Sequence, residues 1–471
     1  MAGELCHDWK CWRKRRYMVS IMACFGFFNV YAMRINLSIA IVDMTALKNI
    51  TLNNGTTISY REFDWDSTLQ GYVLSSFFYG YITTQIIGGY LASKFGGRKI
   101  FGAGIAVTGL LTLVTPLASN VSVYLLIAVR IVEGIFEGVS YPSTHEIWSR
   151  WAPPLERSRL ATIAFSGSYI GTVVSMPLSA YLATAFGWPS IFYYFGSIAL
   201  VWYVIWMYTT FDSPEQDSWI SKEELDYITQ YVDTKSKNDL GNVPWKSILT
   251  SIPVWAIIAS HVSENWGWYT LITQLPKFMS FWEMRGSCPP FPYLVMAITI
   301  QFSGQLADCC LVRGYMTTTQ VRRVFNCGAF IAQTVFMLSA AFWMTPVGGV
   351  FCLTMAVALG AFAWAGFSIN HLDIAPQYAS ILMGLTNTFA TLPGIISPIL
   401  TGYIVTDETS ADEWRPVFYI TAGLYLFGAL IYGTFASGEL QSWAMESLDE
   451  TEESRNAKKV DYYNKSFDAD E

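Results

Sequence analysis

The sequence predicts an all-α membrane protein in which about twelve transmembrane helices form two six-helix halves arranged as parallel repeats. Three observations support this fold class. Hydrophobic residues make up 52% of the 471-residue chain and charged residues only 14%, whereas soluble domains carry roughly 25% charge. The apolar residues are gathered into segments long enough to cross a bilayer as helices. A polar stretch at residues 211–250 separates the earlier segments from the later ones.

The apolar segments are nearly free of charge, and the short stretches between them hold most of the charged residues. This segregation is typical of polytopic membrane proteins. The segments lie at residues 18–42, 68–92, 101–119, 121–147, 160–183, 190–210, 252–276, 289–307, 324–343, 348–370, 380–405 and 416–436.

The same segments divide the chain into five parts. We expect a cytoplasmic N-terminus at 1–17, an N-terminal six-helix half at 18–210, a cytoplasmic central loop at 211–250, a C-terminal six-helix half at 251–436, and an acidic cytoplasmic tail at 437–471.

The distribution of Lys and Arg predicts that both termini lie in the cytoplasm, because cytoplasmic loops of membrane proteins are enriched in these residues. The loop after the first span then lies outside. It contains Asn49-Ile-Thr and Asn54-Gly-Thr, so we expect glycosylation of Asn49 and Asn54. The predicted inner segments hold Lys94, Arg98, Lys99, Arg150, Arg157, Arg159, Arg313, Arg322 and Arg323.

The expected partners are the lipid bilayer and a small anionic substrate, and the expected oligomeric state is a monomer. The sequence contains no basic stripe of the kind that would indicate binding to nucleic acid. The plasma membrane and a lysosomal or vesicular membrane remain open as locations.

A short pattern follows the second span and recurs after the eighth, at corresponding places in the two halves. Repeats of this kind are typical of secondary transporters. The first copy is Gly89-Tyr-Leu-Ala-Ser-Lys-Phe-Gly-Gly-Arg-Lys, which contains Gly97, Arg98 and Lys99, and the second is Gly304-Gln-Leu-Ala-Asp-Cys-Cys-Leu-Val-Arg-Gly, which contains Asp308 and Arg313.

Several longer stretches, together with this repeat, resemble the major facilitator superfamily, and within it the anion–cation symporters. That branch includes sialin, the sodium–phosphate cotransporters and the vesicular glutamate transporters. The stretches are Tyr31-Ala-Met-Arg-Ile-Asn-Leu-Ser, Ser76-Phe-Phe-Tyr-Gly-Tyr, Arg130-Ile-Val-Glu-Gly-Ile-Phe-Glu-Gly-Val, Trp151-Ala-Pro-Pro-Leu-Glu-Arg-Ser, Asn370-His-Leu-Asp-Ile-Ala-Pro-Gln-Tyr-Ala-Ser and Ser437-Gly-Glu-Leu-Gln-Ser-Trp-Ala. The resemblance implies that the repeated pattern is a gating motif, formed by Gly89, Gly97, Arg98, Lys99, Asp308 and Arg313.

The chain also departs from the branch. Ser93 and Ile87 replace the acidic residue and the proline usual in the first copy of the motif. Leu74 and Glu264 stand where vesicular glutamate transporters have histidine and arginine, which favours sialin-like members or invertebrate phosphate cotransporters. The segment at 280–292 is shorter than in the family.

Ionisable residues fall inside predicted spans, where a charge costs at least about 2.5 kcal/mol, and four of them carry the main hypothesis. These four are Arg34 in span one and Arg130, Glu133 and Glu137 in span four. Offsets of three and seven place the last three on one helical face. We expect Arg34 and Arg130 to bind the anion and Glu137 to take up a proton, with Glu133 either coupling or neutralising Arg130. A buried ion pair that fixes packing is the alternative.

Other candidates are weaker. Glu264 and His145 are candidates for ion or proton coupling, and Asn387 for substrate binding. Tyr72 and Tyr79, with Trp268, are candidates to line the cavity. We expect His371 and Asp373 to make structural contacts in a short cytoplasmic loop.

These observations predict a secondary active transporter that carries an anion, such as phosphate, sialate or a similar carboxylate, together with H⁺ or Na⁺, and uses no cofactor. A channel-like anion conductance and a non-transporting isoform are the alternatives. A membrane enzyme is disfavoured because His145 and His371 lie in different halves without a Cys/His/Asp cluster. The absence of a Walker A motif from the sequence argues against a built-in ATP motor.

Overall fold

The computed structural model describes residues 14–51, 57–232, 243–280, 291–343, 345–405 and 410–445. These residues form seventeen α-helices and one two-stranded hairpin. The helices are α1 Arg15–Met44, α2 Ser67–Thr83, α3 Gln85–Phe95, α4 Gly97–Val121, α5 Val123–Glu137, α6 Ser140–Trp151, α7 Arg157–Phe186, α8 Pro189–Thr209, α9 Lys222–Tyr231, α10 Trp245–Thr250, α11 Ile252–Ser280, α12 Phe291–Val312, α13 Thr318–Phe342, α14 Pro346–Ala363, α15 Ile369–Ile374, α16 Ala379–Ile404 and α17 Ala411–Phe435.

Twelve crossings of the bilayer account for the long helices. Nine segments of the described chain are long and apolar enough to span a membrane. The pair α2 and α3, the pair α5 and α6, and α11 supply three more. Each pair is one span interrupted by a short break, at Thr84 in the first and at Gly138 and Val139 in the second. The predicted fold class of about twelve spans is therefore confirmed.

The two ends of the bundle differ, and we name them by what they carry. The basic side is the end where α1 begins and α3 ends, and the hairpin side is the opposite end. On the hairpin side, β1 (Leu47–Thr51) pairs antiparallel with β2 (Thr57–Arg61) directly after α1. Asn49 lies in β1, opposite Ser59, whereas Asn54 lies outside the described residues.

The repeated sequence pattern forms equivalent turns on the basic side. Gly96 separates α3 from α4 with φ of 99°, and Gly314 follows α12 with φ of 67°. Residues with a side chain rarely adopt such angles, so glycine permits both tight reversals. The sequence echo between the halves thus corresponds to a shared backbone feature.

The polar segment between the halves is attached to the first half by ion pairs. Arg15 Nε lies 2.6 Å from Asp217 Oδ2, and Arg16 Nη1 lies 2.9 Å from Glu224 Oε1 at the start of α9. Burial raises the pKa of Tyr227 on α9 to about 12, with a further contribution from Glu156. This hydroxyl therefore stays protonated at physiological pH.

One local prediction is wrong. His371 and Asp373 do not lie in a loop, because the tenth span continues from α14 through a π-helical turn, Trp364–Ser368, into α15. His371 is completely buried. Residues 281–290, which include most of the shortened segment, lie outside the described residues.

Candidate functional site

The charged residues of span four share one buried face of α5, as their spacing predicts. Arg130, Glu133 and Glu137 are each at most 4% exposed. Arg130 Nη1 donates to Glu133 Oε2 at 2.6 Å, and Glu133 Oε1 accepts hydrogen bonds from the hydroxyls of Thr112 and Thr115 on α4. Glu133 therefore neutralises Arg130 in this structure.

Glu137 pairs with a different arginine, on α1. Arg34 Nε donates to Glu137 Oε1 at 2.7 Å, and Arg34 Nη2 donates to the same oxygen. The Arg34 guanidinium also lies 4.7 Å from the ring centres of Tyr31 and Tyr81 and 5.1 Å from that of Phe77. Cation–π contacts of this kind stabilise a desolvated cation.

The Arg130–Glu133 and Arg34–Glu137 pairs are each neutral overall, but some of their donor and acceptor atoms make no hydrogen bond to the described residues. Arg130 Nε and Glu137 Oε2 are buried and have no hydrogen-bond partner among the described residues. An unpaired guanidinium N–H next to a second arginine is suited to bind a carboxylate or phosphate oxygen. The cluster can therefore exchange its internal partners for an anion.

A narrow cavity of about 10 Å³ lies between the two halves at mid-depth of the bundle, which is about enough for one water molecule. Two of its tyrosines, Tyr31 and Tyr81, are those that contact Arg34, so the charged cluster borders the cavity. The lining residues are Tyr31, Tyr81, Tyr141, Tyr169, Asn265, Trp268, Tyr269, Trp364 and Asn387.

Trp268 lines this cavity, as predicted, and Asn387 lines it too, but Tyr72 and Tyr79 do not. Tyr72 is 58% exposed and Tyr79 is 44% exposed. Both lie on the outward face of α2. The same face continues along α3, where Ile87 is exposed. The prediction that these two tyrosines line the cavity is wrong, because the helix turns them away from the bundle interior.

Asn387 connects the two halves. Its Nδ2 donates to Gln85 Oε1 at 2.9 Å and to the Tyr81 hydroxyl at 3.2 Å. The amide therefore makes a polar helix–helix contact and also lines the cavity, and its role in substrate binding stays a prediction.

Three histidines meet below the cavity, toward the basic side. His145 Nε2 lies 3.0 Å from the Ser368 carbonyl oxygen, and its ring packs edge-on against His371 at 5.4 Å. The Thr386 hydroxyl joins His371 Nε2 at 2.9 Å to His261 Nδ1 at 3.1 Å. His145 belongs to the first half and the other two belong to the second, so the cluster bridges the halves.

The basic side is closed by a network of ion pairs and hydrogen bonds. Asp373 accepts from Arg322 Nε at 2.7 Å and lies 3.5 Å from Arg157 of the other half. Asp308 accepts the backbone N–H groups of Ser158 and Arg159 at 3.2 and 2.7 Å. Because these N–H groups begin α7, the carboxylate also faces the positive end of a helix dipole.

The remaining residues of the repeated motif are glycines, which allow close packing, and basic residues, which contact nearby side chains. Gly89 allows α3 to approach α16, since a Cβ there would lie 2.5 Å from the Ser380 carbonyl oxygen. Gly97 packs in the same manner against Ser143 within the first half. Arg98 and Lys99 contact Asp212, at the start of the central polar segment, and Arg313 is exposed at the end of α12 beside Tyr315.

Sequence reasoning missed most of the aromatic lining and His261. For some of these residues, the spacing from a charged residue is a signal in the sequence. Tyr141 follows Glu137 by four residues and Tyr31 precedes Arg34 by three, so both continue a face that the charges already define. His261 precedes Glu264 by three residues on α11, so the same spacing could have found it. Tyr169 and Trp364 have no charged residue one turn away, and only packing reveals their position.

Residues 19–398 match the Major Facilitator Superfamily. The chain is 43% identical to sialin from Homo sapiens over 455 residues, which cover 91% of each chain. It is 41% identical to vesicular glutamate transporter 2 from Homo sapiens over 442 residues, covering 91% of this chain and 75% of that one.

Two solved structures share the fold. The proton:xylose symporter XylE, bound to 6-bromo-6-deoxy-D-glucose, aligns with a TM-score of 0.68 over 93% of this chain and 98% of its own, at 14% identity. The E. coli fucose:proton symporter FucP aligns with a TM-score of 0.62 over 89% and 99%, at 12% identity. The chain belongs to the major facilitator superfamily of transporters, in the branch that contains sialin and the vesicular glutamate transporters.

Proposed function

We propose that this protein is a secondary active transporter that moves a small anion together with H⁺ or Na⁺ by alternating access. The observation that carries the proposal is the Arg34–Glu137 ion pair, whose side chains are 10% and 1% exposed and which borders the central cavity. Beside it, Arg130 Nε has no hydrogen-bond partner among the described residues. The names of the relatives indicate carriers of organic anions, which fits two buried arginines.

The coupling step follows from the geometry of that pair. When Glu137 is ionised, its Oε1 accepts hydrogen bonds from the guanidinium of Arg34. A proton on Glu137 removes this competitor, so that Arg34 and Arg130 hold an anion between them. Protonation and anion binding then favour each other, which is the thermodynamic requirement for symport. A Na⁺ ion bound to the same carboxylate would likewise free Arg34 for the anion.

Release requires the closed network to open. The Asp373 and Asp308 contacts join the halves only on the basic side, as far as the described ion pairs and carboxylate contacts extend. Rocking the halves apart there would break them and expose the cavity. The Lys and Arg bias places this side in the cytoplasm, together with both termini. His145 would lose its bond to Ser368 in that movement, so it stays a candidate for proton relay.

The substrate class is tested by uptake into proteoliposomes containing the purified protein. Phosphate, sialic acid, urate and acidic amino acids are supplied separately, each under an imposed H⁺ gradient or an imposed Na⁺ gradient. We expect one of these anions to accumulate above its outside concentration under one of the two gradients.

The same experiment distinguishes the alternatives. An anion conductance would equilibrate the substrate but never concentrate it, and a non-transporting isoform would show no flux of any anion. Either result would reject the proposal. Leu74 and Glu264 lead us to expect sialate or phosphate rather than glutamate.

A further inference from the structure

Glu264, in the middle of α11, is a buried carboxyl group without a cation beside it. It is 3% exposed, and it belongs to none of the ion pairs among the described residues. Its surroundings are Tyr169 from α7, Gln333 from α13, Tyr425 from α17 and the backbone of Gly360 from α14. His261 lies one turn earlier on α11 itself.

A buried carboxylate that lacks a cation is strongly unfavourable, and such a group takes up a proton instead. The hydrogen bonds around Glu264 lead to the same conclusion. Gln333 is the amide that interacts with Glu264, and its Nε2 donates to the Tyr425 hydroxyl at 3.2 Å. Glu264 Oε2 is a buried acceptor with no donor among the described residues. A proton on Glu264 removes the uncompensated charge from this carboxyl group.

The site is too tightly packed for a metal cation. A Cβ atom at Gly360 would lie 2.6 Å from both Glu264 Oε1 and Gln333 Nε2, so the backbone of α14 closes directly over the pair. Hard cations need a shell of several oxygen ligands, and the described residues contain no group of three or more acidic, His or Cys side chains arranged to hold a metal. The space fits a proton.

Glu264 is also close enough to the cavity to influence an anion there. Asn265 and Trp268 on the same helix line the cavity, and so does Tyr169, which faces Glu264 from the other half. A negative charge on Glu264 would repel a bound anion in this low-dielectric interior. The protonated form would not.

We propose that Glu264 is a second proton-binding site, located in the C-terminal half, whose occupancy is required for the anion to bind and whose proton is carried with it. The proposal rests on the proposed function and adds to it a proton besides the one at Glu137. The transporter then couples at least two protons to each anion.

The test measures coupling stoichiometry in proteoliposomes with the full-length protein. At a clamped membrane potential, the limiting accumulation of the anion rises about tenfold per pH unit of gradient for each coupled proton. We expect the slope of Glu264→Gln to be smaller than that of the parent by one proton. Glu264→Asp, which keeps a carboxyl group, is the matched control and should keep the parent slope.

The outcomes separate the two proposals. If Glu264→Gln accumulates the anion with the parent slope, the second site is excluded while the proposed function stands. If the parent accumulates under a Na⁺ gradient alone, the proton at Glu264 is excluded. If the parent never concentrates an anion, the proposed function itself fails.

A spectroscopic measurement on the parent keeps the proposal testable even if Glu264→Gln folds poorly. The infrared difference spectrum on adding the anion should show the carbonyl stretch of a protonated carboxyl group in the parent at neutral pH. The band should move in Glu264→Asp. A protonated-carboxyl signal that is the same in the parent and in Glu264→Asp would overturn the proposal, because that signal would belong to Glu137.

Discussion

Arg34 combines two kinds of contact, with aromatic rings and with a carboxylate. Three aromatic ring faces surround its guanidinium, and one carboxylate, Glu137, occupies its donors. Buried ion pairs add little net stability, because desolvation offsets the attraction. An aromatic cage makes the cation tolerable even when the carboxylate leaves. The arrangement therefore suits an arginine that changes partners.

Tyr81 and Tyr79 provide a matched pair of substitutions on one helix. Tyr81→Phe keeps the ring under Arg34 but removes the hydroxyl that accepts from Asn387. A lost hydrogen bond is worth about 1 kcal/mol, so the apparent KM for the anion should rise roughly two- to tenfold. Tyr79→Phe alters an exposed side chain and should leave uptake unchanged.

The measurement is the concentration dependence of initial uptake rates for both variants. Equal effects of the two substitutions would contradict the assignment of Tyr81 to the cavity and of Tyr79 to the outer face of α2.

At the scale of residues, the sequence predicts the positions of charged side chains better than those of aromatic side chains. The spacing of Arg130, Glu133 and Glu137 fixes a common face, because a helix has one geometry and a charged face cannot contact lipid. Tyrosine tolerates both lipid and interior, so Tyr72, Tyr79 and Tyr81 are not distinguishable by composition. Their positions follow only from how α2 packs.

At the scale of elements, closure of the basic side depends on close backbone contact between α3 and α16. Gly384 on α16 lies against the Gln85 carbonyl oxygen, and a Cβ at that position would come within 2.3 Å of it. Small residues at helix contacts allow such approach inside membranes. Gly89 on α3 makes the reciprocal approach to Ser380.

Gly384→Ala should therefore weaken the closed arrangement of the basic side. Overpacking costs about 1–3 kcal/mol, so the closed population should fall about fivefold or more relative to the open one. Spin labels at Lys94 and Tyr315, which lie on the basic side of opposite halves, would report a longer distance by double electron–electron resonance.

Gly402→Ala is the matched control on the same helix, because no described atom lies within 4 Å of a Cβ there. Its distance distribution should equal that of the parent. A parent-like distribution in Gly384→Ala would show that the α3–α16 contact does not determine closure.

Element boundaries were predictable where the apolar pattern ends cleanly, and not elsewhere. The breaks at Thr84 and at Gly138 interrupt spans without changing their hydropathy. His371 and Asp373 suggested a loop because polar residues normally end a span, yet α15 keeps them helical. Buried partners, Thr386 for His371 and Arg322 for Asp373, compensate for their polarity.

At the scale of the whole molecule, the two copies of the repeated motif are unequal in function. Asp308 in the second copy joins the halves through the N-terminus of α7. Its counterpart Ser93 donates only to the Tyr90 carbonyl oxygen of its own helix. On the α16 side, the Ser380 hydroxyl donates instead to Glu146 at 3.2 Å. The closed basic side is thus held by different groups on its two pseudo-symmetric edges.

The division into two six-helix halves was predictable because hydropathy and the central polar segment are local properties of the chain. The surface between the halves was not, since it depends on which faces meet after folding. The central cavity, the histidine cluster and the Asp373 network all lie on that surface.

The central claim is that protonation of Glu137 releases Arg34 for the anion. It is tested most directly by comparing the parent with Glu137→Gln, a permanent mimic of the protonated side chain, in two assays in proteoliposomes. One assay is accumulation driven by an imposed ion gradient, and the other is exchange of labelled for unlabelled anion without a gradient. We predict that Glu137→Gln accumulates less anion than the parent, because only the proton at Glu264 remains coupled, and that it retains exchange. Accumulation at the parent level in Glu137→Gln would contradict the claim.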